Sequence, residues 1–272
     1  MNTSPTEAAA ALPRPRLPAY GEKARSYDRD TSAFQRYRED IVAALPLRPG
    51  QVVLDVGCGT GLCCGLLRDK VGPAGGVIGI EESPQMAALA REHVTSQGWR
   101  NVTVVQAPAE GAEIGVSADA ALFCAVHDIM QSPDALRNVL GSLRPNAWVA
   151  AGGGKWAAPW MMAANMQSRM LHAPYVRSFD GFGRPWNHLE QMLEDIHFRE
   201  LALGCGYVLT GRSSAARRPD SRRLPGAAGA RYSTAGSFTT LSSHIQVPPP
   251  DRRWMRAPPF RAGASEDSRA RG

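Results

Sequence analysis

The residues best suited to chemistry in this sequence stand between positions 55 and 128. An acid, Asp55, begins the run Asp-Val-Gly-Cys-Gly-Thr-Gly, which ends at Gly61. A second acid, Glu81, stands twenty residues after Gly61, and His127 and Asp128 form an adjacent titratable pair. Glycines let a backbone approach a ligand closely, carboxylates accept hydrogen bonds, and histidine accepts protons near neutral pH. The sequence therefore contains candidate parts of a ligand site and of a proton acceptor.

A strand, a turn and a helix position the glycine run. Residues 52–56 form a short apolar stretch typical of a buried parallel strand, and a helix is predicted over residues 62–68. The backbone N–H groups at such a helix start can hold an anionic group. Glu81 ends the next predicted strand, residues 77–81, where its carboxylate can accept both ribose hydroxyls of an adenosine. The pattern therefore predicts an adenosine-containing cofactor.

The glycine spacing separates two classes of cofactor. Dinucleotide sites use G-x-G-x-x-G/A, which needs a small residue at position 62, and that residue is Leu62. An NAD-dependent oxidoreductase is therefore disfavoured. The spacing here is G-x-G-x-G preceded by Asp55. With this motif and Glu81, residues 20–212 resemble the class I S-adenosylmethionine-dependent methyltransferases. The resemblance is greatest to the bacterial small-molecule branch related to ubiquinone and menaquinone biosynthesis.

The resemblance implies S-adenosylmethionine as cofactor and a role for each residue of the turn. Asp55 would orient the glycine loop or hold the methionine ammonium through water, and Glu81 would bind the ribose. Relatives often have an acid after the third strand that contacts the adenine amino group, but this chain has Pro108 near that place. A backbone amide at Ala107 or Ala109 could substitute. The other implied cofactor-binding residues are Gly57, Cys58, Gly59, Gly61, Glu82, Ala109 and Cys124.

The candidate catalytic residues follow the fourth predicted strand, residues 120–126. Methyl transfer is an in-line displacement that depends mainly on holding the reacting atoms about 3–3.5 Å apart. In this fold the ligands bind beyond the carboxyl ends of the strands, where His127 and Asp128 are delivered. His127 is the predicted general base, and Asp128 would orient it or contact the acceptor. The alternative is that His127 is a polar residue of the pocket wall and that Asp128 begins a turn.

The stretch after the fifth predicted strand is rich in Trp and Met. Such side chains suit a flat or lipid-like apolar acceptor, because Met adapts to irregular shapes. The alternative is that they are ordinary core residues. A substrate-cover insertion is predicted over residues 155–197, and relatives suggest that Tyr20, Tyr27 and Phe34 form a lid. The predicted acceptor contacts are Trp156, Trp160, Trp186 and His188.

The remaining elements complete an α/β domain. Further strands are predicted over residues 102–105, 148–151, 198–203 and 207–210, and helices over residues 20–45, 84–98, 134–143 and 188–196. This alternation predicts a Rossmann-like, seven-stranded, mostly parallel sheet with helices on both faces and a final antiparallel strand. The methyltransferase domain is predicted over residues 20–211, between a disordered N-terminus (1–19) and a basic, Arg-, Pro-, Ala- and Ser-rich tail (212–272) that is expected to be disordered.

Composition excludes several other classes. No apolar run approaches the roughly 18 residues that a membrane span requires, and the N-terminus lacks the basic start and long apolar core of a secretory signal. The five cysteines have no CxxC spacing, which predicts reduced thiols rather than disulfides or a zinc site. These features predict a cytoplasmic protein without a membrane span or a bound metal. They leave the oligomeric state open.

The net charge of +6 is unevenly distributed. From Arg212 onward the chain has twelve of its 31 basic residues and four of its 25 acids, so the predicted domain is nearly neutral. A nucleic-acid partner is therefore disfavoured. The predicted activity is methyl transfer from S-adenosylmethionine to an O, N or C atom of a small, apolar or aromatic acceptor. The alternative is a non-catalytic S-adenosylmethionine-binding regulator or scaffold, which the polar residues His127 and Asp128 disfavour.

Overall fold

A computed structural model describes residues 21–214, with side chains from residue 24. The expected disordered N-terminus and nearly all of the basic tail lie outside the described residues. In chain order, the elements are α1 (Gly21–Asp30), a 3-10 turn (Ser32–Phe34), α2 (Gln35–Ala44), β1 (Val52–Val56), α3 (Cys64–Val71), β2 (Gly76–Glu81), α4 (Pro84–Ser96), β3 (Val102–Gln106), β4 (Ala118–Cys124), α5 (His127–Met130), α6 (Pro133–Gly141), β5 (Leu143–Gly154), α7 (Met162–His172), α8 (Asn187–Glu190), β6 (Leu193–Leu201), a second 3-10 turn (Ala202–Gly204) and β7 (Gly206–Ser213).

The seven strands form one sheet in the order β3-β2-β1-β4-β5-β7-β6. Strands β1 to β5 pair in parallel, whereas β7 is antiparallel to both β5 and β6. The predicted fold class is confirmed. Because the strand order reverses between β1 and β4, the carboxyl ends of these two strands flank the crevice where open α/β sheets bind ligands.

Both faces of the sheet are buried, as expected for parallel strands covered by helices. Alternate residues of β1 point to opposite faces, so Leu54 and Val56 lie in one core and Val53 in the other. The first core also contains Phe123, Leu136 and Leu189. The second contains Ile41, Leu45, Leu67 and Leu122. Asp55 shares the face of Val53, which places its carboxyl group under α3.

Two helices that follow strands at the carboxyl edge begin with a Ser-Pro pair. Ser83 and Ser132 are the N-caps of α4 and α6, and each side chain accepts a hydrogen bond from a backbone N–H three residues later. Pro84 and Pro133 occupy the first helical position, where the missing N–H costs nothing. These caps fix the path of the chain as it leaves the edge of the sheet.

Several predicted elements are wrong in their bounds, and three of the differences are the following. The helix predicted over residues 20–45 is divided into α1 and α2, and Arg38 of α2 donates to the carbonyl and hydroxyl of Thr31 at the break. The helix predicted over residues 188–196 ends at Glu190, because Leu193 already pairs with Ser213 of β7. Strand β7 also extends to Ser213, beyond the predicted limit of the domain. Tertiary pairing overrides local propensity in these places.

Among residues 21–214, no helix has the length and apolar character needed to cross a membrane.

Candidate functional site

The glycine loop after β1 adopts a backbone conformation that other residues rarely tolerate. Gly57, Gly59 and Gly61 have φ angles of 69°, 58° and 87°, which fall in the left-handed region. Space is restricted as well, because a Cβ built on Gly57 would lie 2.5 Å from Cγ1 of Val126. The first glycine is therefore required both by its conformation and by its neighbour after β4.

Backbone hydrogen bonds fix this loop against the end of β2. The N–H groups of Gly57 and Cys58 both donate to the carbonyl of Ile80, at 2.8 and 3.0 Å. The carboxylate of Glu81 accepts from the N–H of Gly59 at 2.9 Å and from the N–H of Ser83 at 2.8 Å. Burial raises the pKa of Glu81, and these two hydrogen bonds oppose the rise. A carboxylate offers about four acceptor positions, so Glu81 retains the capacity to bind hydroxyl groups.

Asp55 lies beneath the loop and is 1% exposed. The thiol of Cys64 donates to its Oδ2 at 3.6 Å. Burial raises the pKa of Asp55 to about 7, the hydrogen bond from Cys64 opposes this, and the charge of Glu81 adds to it. Near pH 7 this carboxyl group is therefore poised between its neutral and charged forms, and a cation beside it would favour the charged form.

A cavity of about 150 Å³ lies between the loop, the end of β2 and the end of β4. Most of the predicted cofactor-binding residues line it: Asp55, Gly57, Cys58, Gly59, Glu81, Glu82, Ala109 and Cys124. Gly61 is the exception among them. Its nearest neighbours are Ala90 and Cys64, on the far side of the loop, so its role is to shape the turn rather than to line the cavity.

A second cavity of about 390 Å³ adjoins the first. Helices α2 and α7 and the carboxyl ends of β4 and β5 enclose it with mainly apolar and aromatic side chains. Residues 124–127 line both cavities, so this segment forms their junction. Ala125 has a φ of 57° there, a strained conformation of the kind found at functional sites. Two predicted lid residues, Tyr27 and Phe34, line the second cavity, whereas Tyr20 lies outside the described residues.

Arg38 of α2 also lines both cavities, and the sequence analysis did not identify it. It is 8% exposed, and its guanidinium donates to Thr31 Oγ1 at 2.6 Å, to the Thr31 carbonyl at 3.2 Å and to Gln35 Oε1 at 3.4 Å. These partners are neutral, and no acid in the described part of the chain forms an ion pair with Arg38. A buried cation without an acid favours an anionic ligand. In the sequence, the only feature that could have indicated this role is the helical spacing of Arg38 from Phe34 and Ile41.

His127 lies at the start of α5, directly after the junction. Its Nε2 is 2.9 Å from the carbonyl oxygen of Asp180, and since a carbonyl only accepts, Nε2 carries the proton. Nδ1 is buried without a hydrogen-bond partner among the described residues. Burial lowers the pKa of His127, and the hydrogen bond to Asp180 opposes this. His127 thus reaches the predicted place, but its basic nitrogen is enclosed.

Asp128 accepts hydrogen bonds from the segment between α7 and α8. Its role in orienting His127 or contacting the acceptor stays a prediction. The N–H of Arg177 donates to both carboxylate oxygens of Asp128, at 3.2 and 3.3 Å. The guanidinium of Arg177 lies 3.6 Å from Asp128 and 3.2 Å from Glu82. Burial raises the pKa of Asp128, and Arg177 opposes the rise. Arg177 therefore bridges two acids across the wall of the first cavity.

Comparison with known proteins is consistent with this site. The profile of the family described as "Methyltransferase domain" matches residues 53–146, from β1 into β5. Over these residues the chain is similar to that family. The predicted resemblance to the class I superfamily is therefore confirmed.

Individual relatives match this chain over short stretches. A protein-L-isoaspartate O-methyltransferase from Ignicoccus hospitalis is 43% identical over 65 residues, which cover 24% of this chain and 31% of the relative. A demethylmenaquinone methyltransferase from Anoxybacillus flavithermus is 36% identical over 84 residues, or 29% of this chain and 35% of the relative. The chain thus spans about a third of the length of these relatives.

A solved structure extends the likeness of fold beyond the matched stretch. The crystal structure of a SAM-dependent methyltransferase from Aquifex aeolicus superposes with a TM-score of 0.52. It is 22% identical and covers 71% of this chain and 97% of its own. The class I methyltransferase fold therefore includes the strands that follow residue 146.

The four predicted acceptor contacts do not line either cavity. Trp160 is 81% exposed, and Trp186 packs in the core with ring centroids 4.6 and 4.7 Å from Phe198 and Tyr207. Trp156 stacks on Phe179 at 5.1 Å, behind the cavity wall, and His188 lies on α8. Trp and Met content alone did not distinguish core and surface positions from cavity walls. We therefore no longer assign these four residues to the acceptor.

Proposed function

We propose that this chain is an S-adenosylmethionine-dependent methyltransferase that acts on a small apolar or aromatic acceptor. The observation that carries the proposal is the junction at residues 124–127, where a polar cavity around the glycine loop meets a larger apolar cavity. Transfer in line requires the methyl donor and the acceptor to meet at one point. Two adjoining cavities of opposite polarity provide such a point.

The residues of the first cavity fit S-adenosylmethionine. Its methionine end carries an ammonium and a carboxylate, and the cavity offers a buried acid, Asp55, and a buried cation, Arg38. The charges of Asp55 and Arg38 both affect the pKa of the Cys63 thiol. The pKa of Cys63 is raised mainly by its hydrogen bond to Cys124 and by burial, Asp55 adds to the rise, and Arg38 opposes it. Asp55 and Arg38 are thus both close enough to Cys63 to affect its pKa, and together they offer opposite charges to a zwitterion.

The rest of the cofactor would lie along the end of β2. Glu81 would accept the ribose hydroxyls, and Ile80, Met86 and Ala109 would border the adenine. Glu110 also lines this cavity and accepts a hydrogen bond from the hydroxyl of Ser132 at 2.8 Å. When bound, the cofactor supplies an electrophilic methyl group on a sulfonium. The protein's contribution is to orient that group towards the second cavity.

Support for the proposed acceptor class comes from the second cavity alone. The named relatives act on acceptors as different as protein L-isoaspartate and demethylmenaquinone, so their names do not select one. A cavity of about 390 Å³ has the size of a small-molecule site. Its wall is mainly apolar, and its polar groups include Arg38, His127, His172 and Tyr207. This composition favours a flat or compact apolar acceptor with one polar reacting atom, O, N or an activated C.

We propose a cytoplasmic location and no nucleic-acid partner. All five thiols, Cys58, Cys63, Cys64, Cys124 and Cys205, are free, as expected in a reducing compartment. Without the residues from Arg212 onward, the chain has slightly more acids than basic residues, so the domain offers little general attraction to phosphate backbones.

Calorimetric titration of the full-length chain tests the cofactor first. We expect S-adenosylmethionine to bind with micromolar affinity and NAD not to bind. Glu81→Gln should weaken binding at least tenfold, whereas Glu92→Gln on α4 is a matched control that should leave it unchanged. Binding of NAD without binding of S-adenosylmethionine would overturn the proposal.

Release of S-adenosylhomocysteine tests turnover. A panel of phenols, naphthols, aromatic acids and aryl amines would be incubated with the full-length chain and S-adenosylmethionine. We expect faster release with aromatic members than with polar ones such as glycine. Tight cofactor binding without turnover of any member would instead favour the non-catalytic regulator or scaffold.

A further inference from the structure

Two histidines line the second cavity, and each ring is held in one tautomer. His172, at the end of α7, has Nδ1 2.8 Å from the carbonyl oxygen of Ser168. Because that carbonyl only accepts, Nδ1 carries the proton and Nε2 is the basic nitrogen. In His127 the arrangement is reversed, since Nε2–H donates to Asp180 and Nδ1 is basic.

The two basic nitrogens differ in their access to a ligand. Nδ1 of His127 is buried and has no hydrogen-bond partner among the described residues. Nε2 of His172 is not buried in this way, and no hydrogen bond within residues 21–214 occupies it. A proton from a molecule in the cavity can therefore reach His172 without any rearrangement of its ring, whereas His127 would first have to break its bond to Asp180.

The surroundings hold the ring of His172 at the edge of the sheet. Its centroid lies 5.3 Å from that of Phe182, edge to face, and 6.3 Å from that of Phe34. The Nε2 edge lies against Gly154 at the end of β5, and a Cβ at that position would overlap the ring. The neighbouring Gly153 approaches Ala125 of the cavity junction, since a Cβ there would lie 3.4 Å from the Ala125 Cα. The fold thus leaves room for this imidazole next to the junction.

We infer that His172, through Nε2, is the general base that takes the proton from an O–H or N–H acceptor, an inference that presupposes the proposed methyl transfer. The acceptor atom forms a bond to the methyl carbon, and the carbon–sulfur bond breaks with its electron pair remaining on sulfur. The acceptor proton moves to Nε2, which later releases it to solvent. The positive charge passes from the sulfonium to the imidazolium, so the step is balanced.

The electrostatics of the cavity agree with this role. Burial lowers the pKa of His172, and the hydrogen bond to Ser168 opposes the change, so the ring is neutral at pH 7 and able to accept a proton. The titratable or charged groups that share the cavity wall are Tyr27, Tyr37, Arg38, Cys124, His127, Tyr175, Cys205 and Tyr207. Turnover that depends on His172 should therefore fall only below the ordinary histidine pKa of about 6.5.

Access can be tested without knowledge of the acceptor. Diethyl pyrocarbonate carbethoxylates reachable, unprotonated imidazole nitrogens, and peptide mass spectrometry locates the product. In the full-length chain at pH 7 we expect modification of His172 to exceed that of His127 at least tenfold, with the partly buried His188 as an internal standard. Modification of His127 with His172 spared would overturn the inference.

Turnover tests the chemical role with the fastest acceptor from the panel of phenols, naphthols and amines. His172→Gln should lower kcat 10²- to 10⁴-fold and remove the acid limb of the kcat–pH profile at saturating cofactor. His127→Gln should lower kcat less than tenfold and retain that limb. Gly154→Ala, which displaces the ring, should resemble His172→Gln. A full acid limb in His172→Gln would refute the role.

Cofactor binding separates failure of this inference from failure of the proposed function. His172→Gln should bind S-adenosylmethionine within threefold of the unaltered chain by calorimetry, because His172 does not line the first cavity. Normal binding and normal turnover in this variant would overturn the role of His172 alone. Absence of binding in the unaltered chain would instead overturn the proposed function.

Discussion

Burial of Asp55 makes the affinity for S-adenosylmethionine dependent on pH near neutrality. The pKa of Asp55 is raised to about 7 by burial, so the group is about a tenth ionised at pH 6 and half ionised at pH 7. If the cofactor ammonium binds the ionised form, affinity should rise about fivefold over this interval. Binding should also release about half a proton at pH 7.

Calorimetry at pH 6.0, 6.5 and 7.0, in two buffers of different ionisation enthalpy, measures both the affinity and the proton release. The interval lies below the pKa of the ligand's own α-amino group, about 7.7–8.0, so that group stays mostly charged. Methylthioadenosine is the control ligand, because it has the adenine and ribose but no amino-acid end. Its affinity should not share the fivefold rise.

Asp55→Asn provides the matching control in the protein. This variant should bind S-adenosylmethionine more weakly and with the same affinity at pH 6 and pH 7. A pH-independent affinity in the unaltered chain would refute the reasoning, and so would an equal rise for methylthioadenosine. The second result would assign the titration to Glu81 rather than to Asp55, because burial raises the pKa of Glu81 as well.

Three further predictions follow from the same site. The folded pKa of Asp55 lies above its unfolded value of about 3.9, so the free energy of unfolding should fall as the pH rises from about 4 to 7. In urea unfolding, Asp55→Asn should therefore have a free energy of unfolding about 4 kcal/mol above that of the unaltered chain at pH 8, with little difference at pH 4. Gly57→Ala should abolish cofactor binding by overlap with Val126, whereas Gly98→Ala, at similar positive φ in open space, should only lower Tm. In calorimetry, Arg38→Met should lower the affinity for S-adenosylmethionine at least tenfold but leave the affinity for methylthioadenosine unchanged.

Local constraints explain why the glycine loop could be predicted from the sequence. Gly57 and Gly59 need positive φ angles, and the Leu62 that follows excludes the dinucleotide spacing. The position of Glu81 follows from strand length and parallel pairing, since residues 52–56 and 76–80 pair in register. These features depend on a few consecutive residues, so the sequence carries them directly.

The acceptor side depends on tertiary packing and was predicted poorly. Arg38 is buried because α2 packs over the cavity, and charged residues on a helix are usually exposed. His172 becomes a cavity residue only when α7 places it against Gly154, which lies 18 positions earlier in the chain. Trp160 and Trp186 were predicted as acceptor contacts from the Trp and Met content instead. Amino-acid content does not show which side of a helix or strand faces a cavity.

The bridge that Arg177 forms between Glu82 and Asp128 links the residence time of the cofactor to the cover of the acceptor cavity. The same segment carries Tyr175, whose ring packs on Tyr27 at 5.6 Å, and Asp180, whose carbonyl holds His127. Movement of this segment therefore disturbs both cavities together. Spent cofactor and methylated product would then share one exit barrier, which is the opening of this segment.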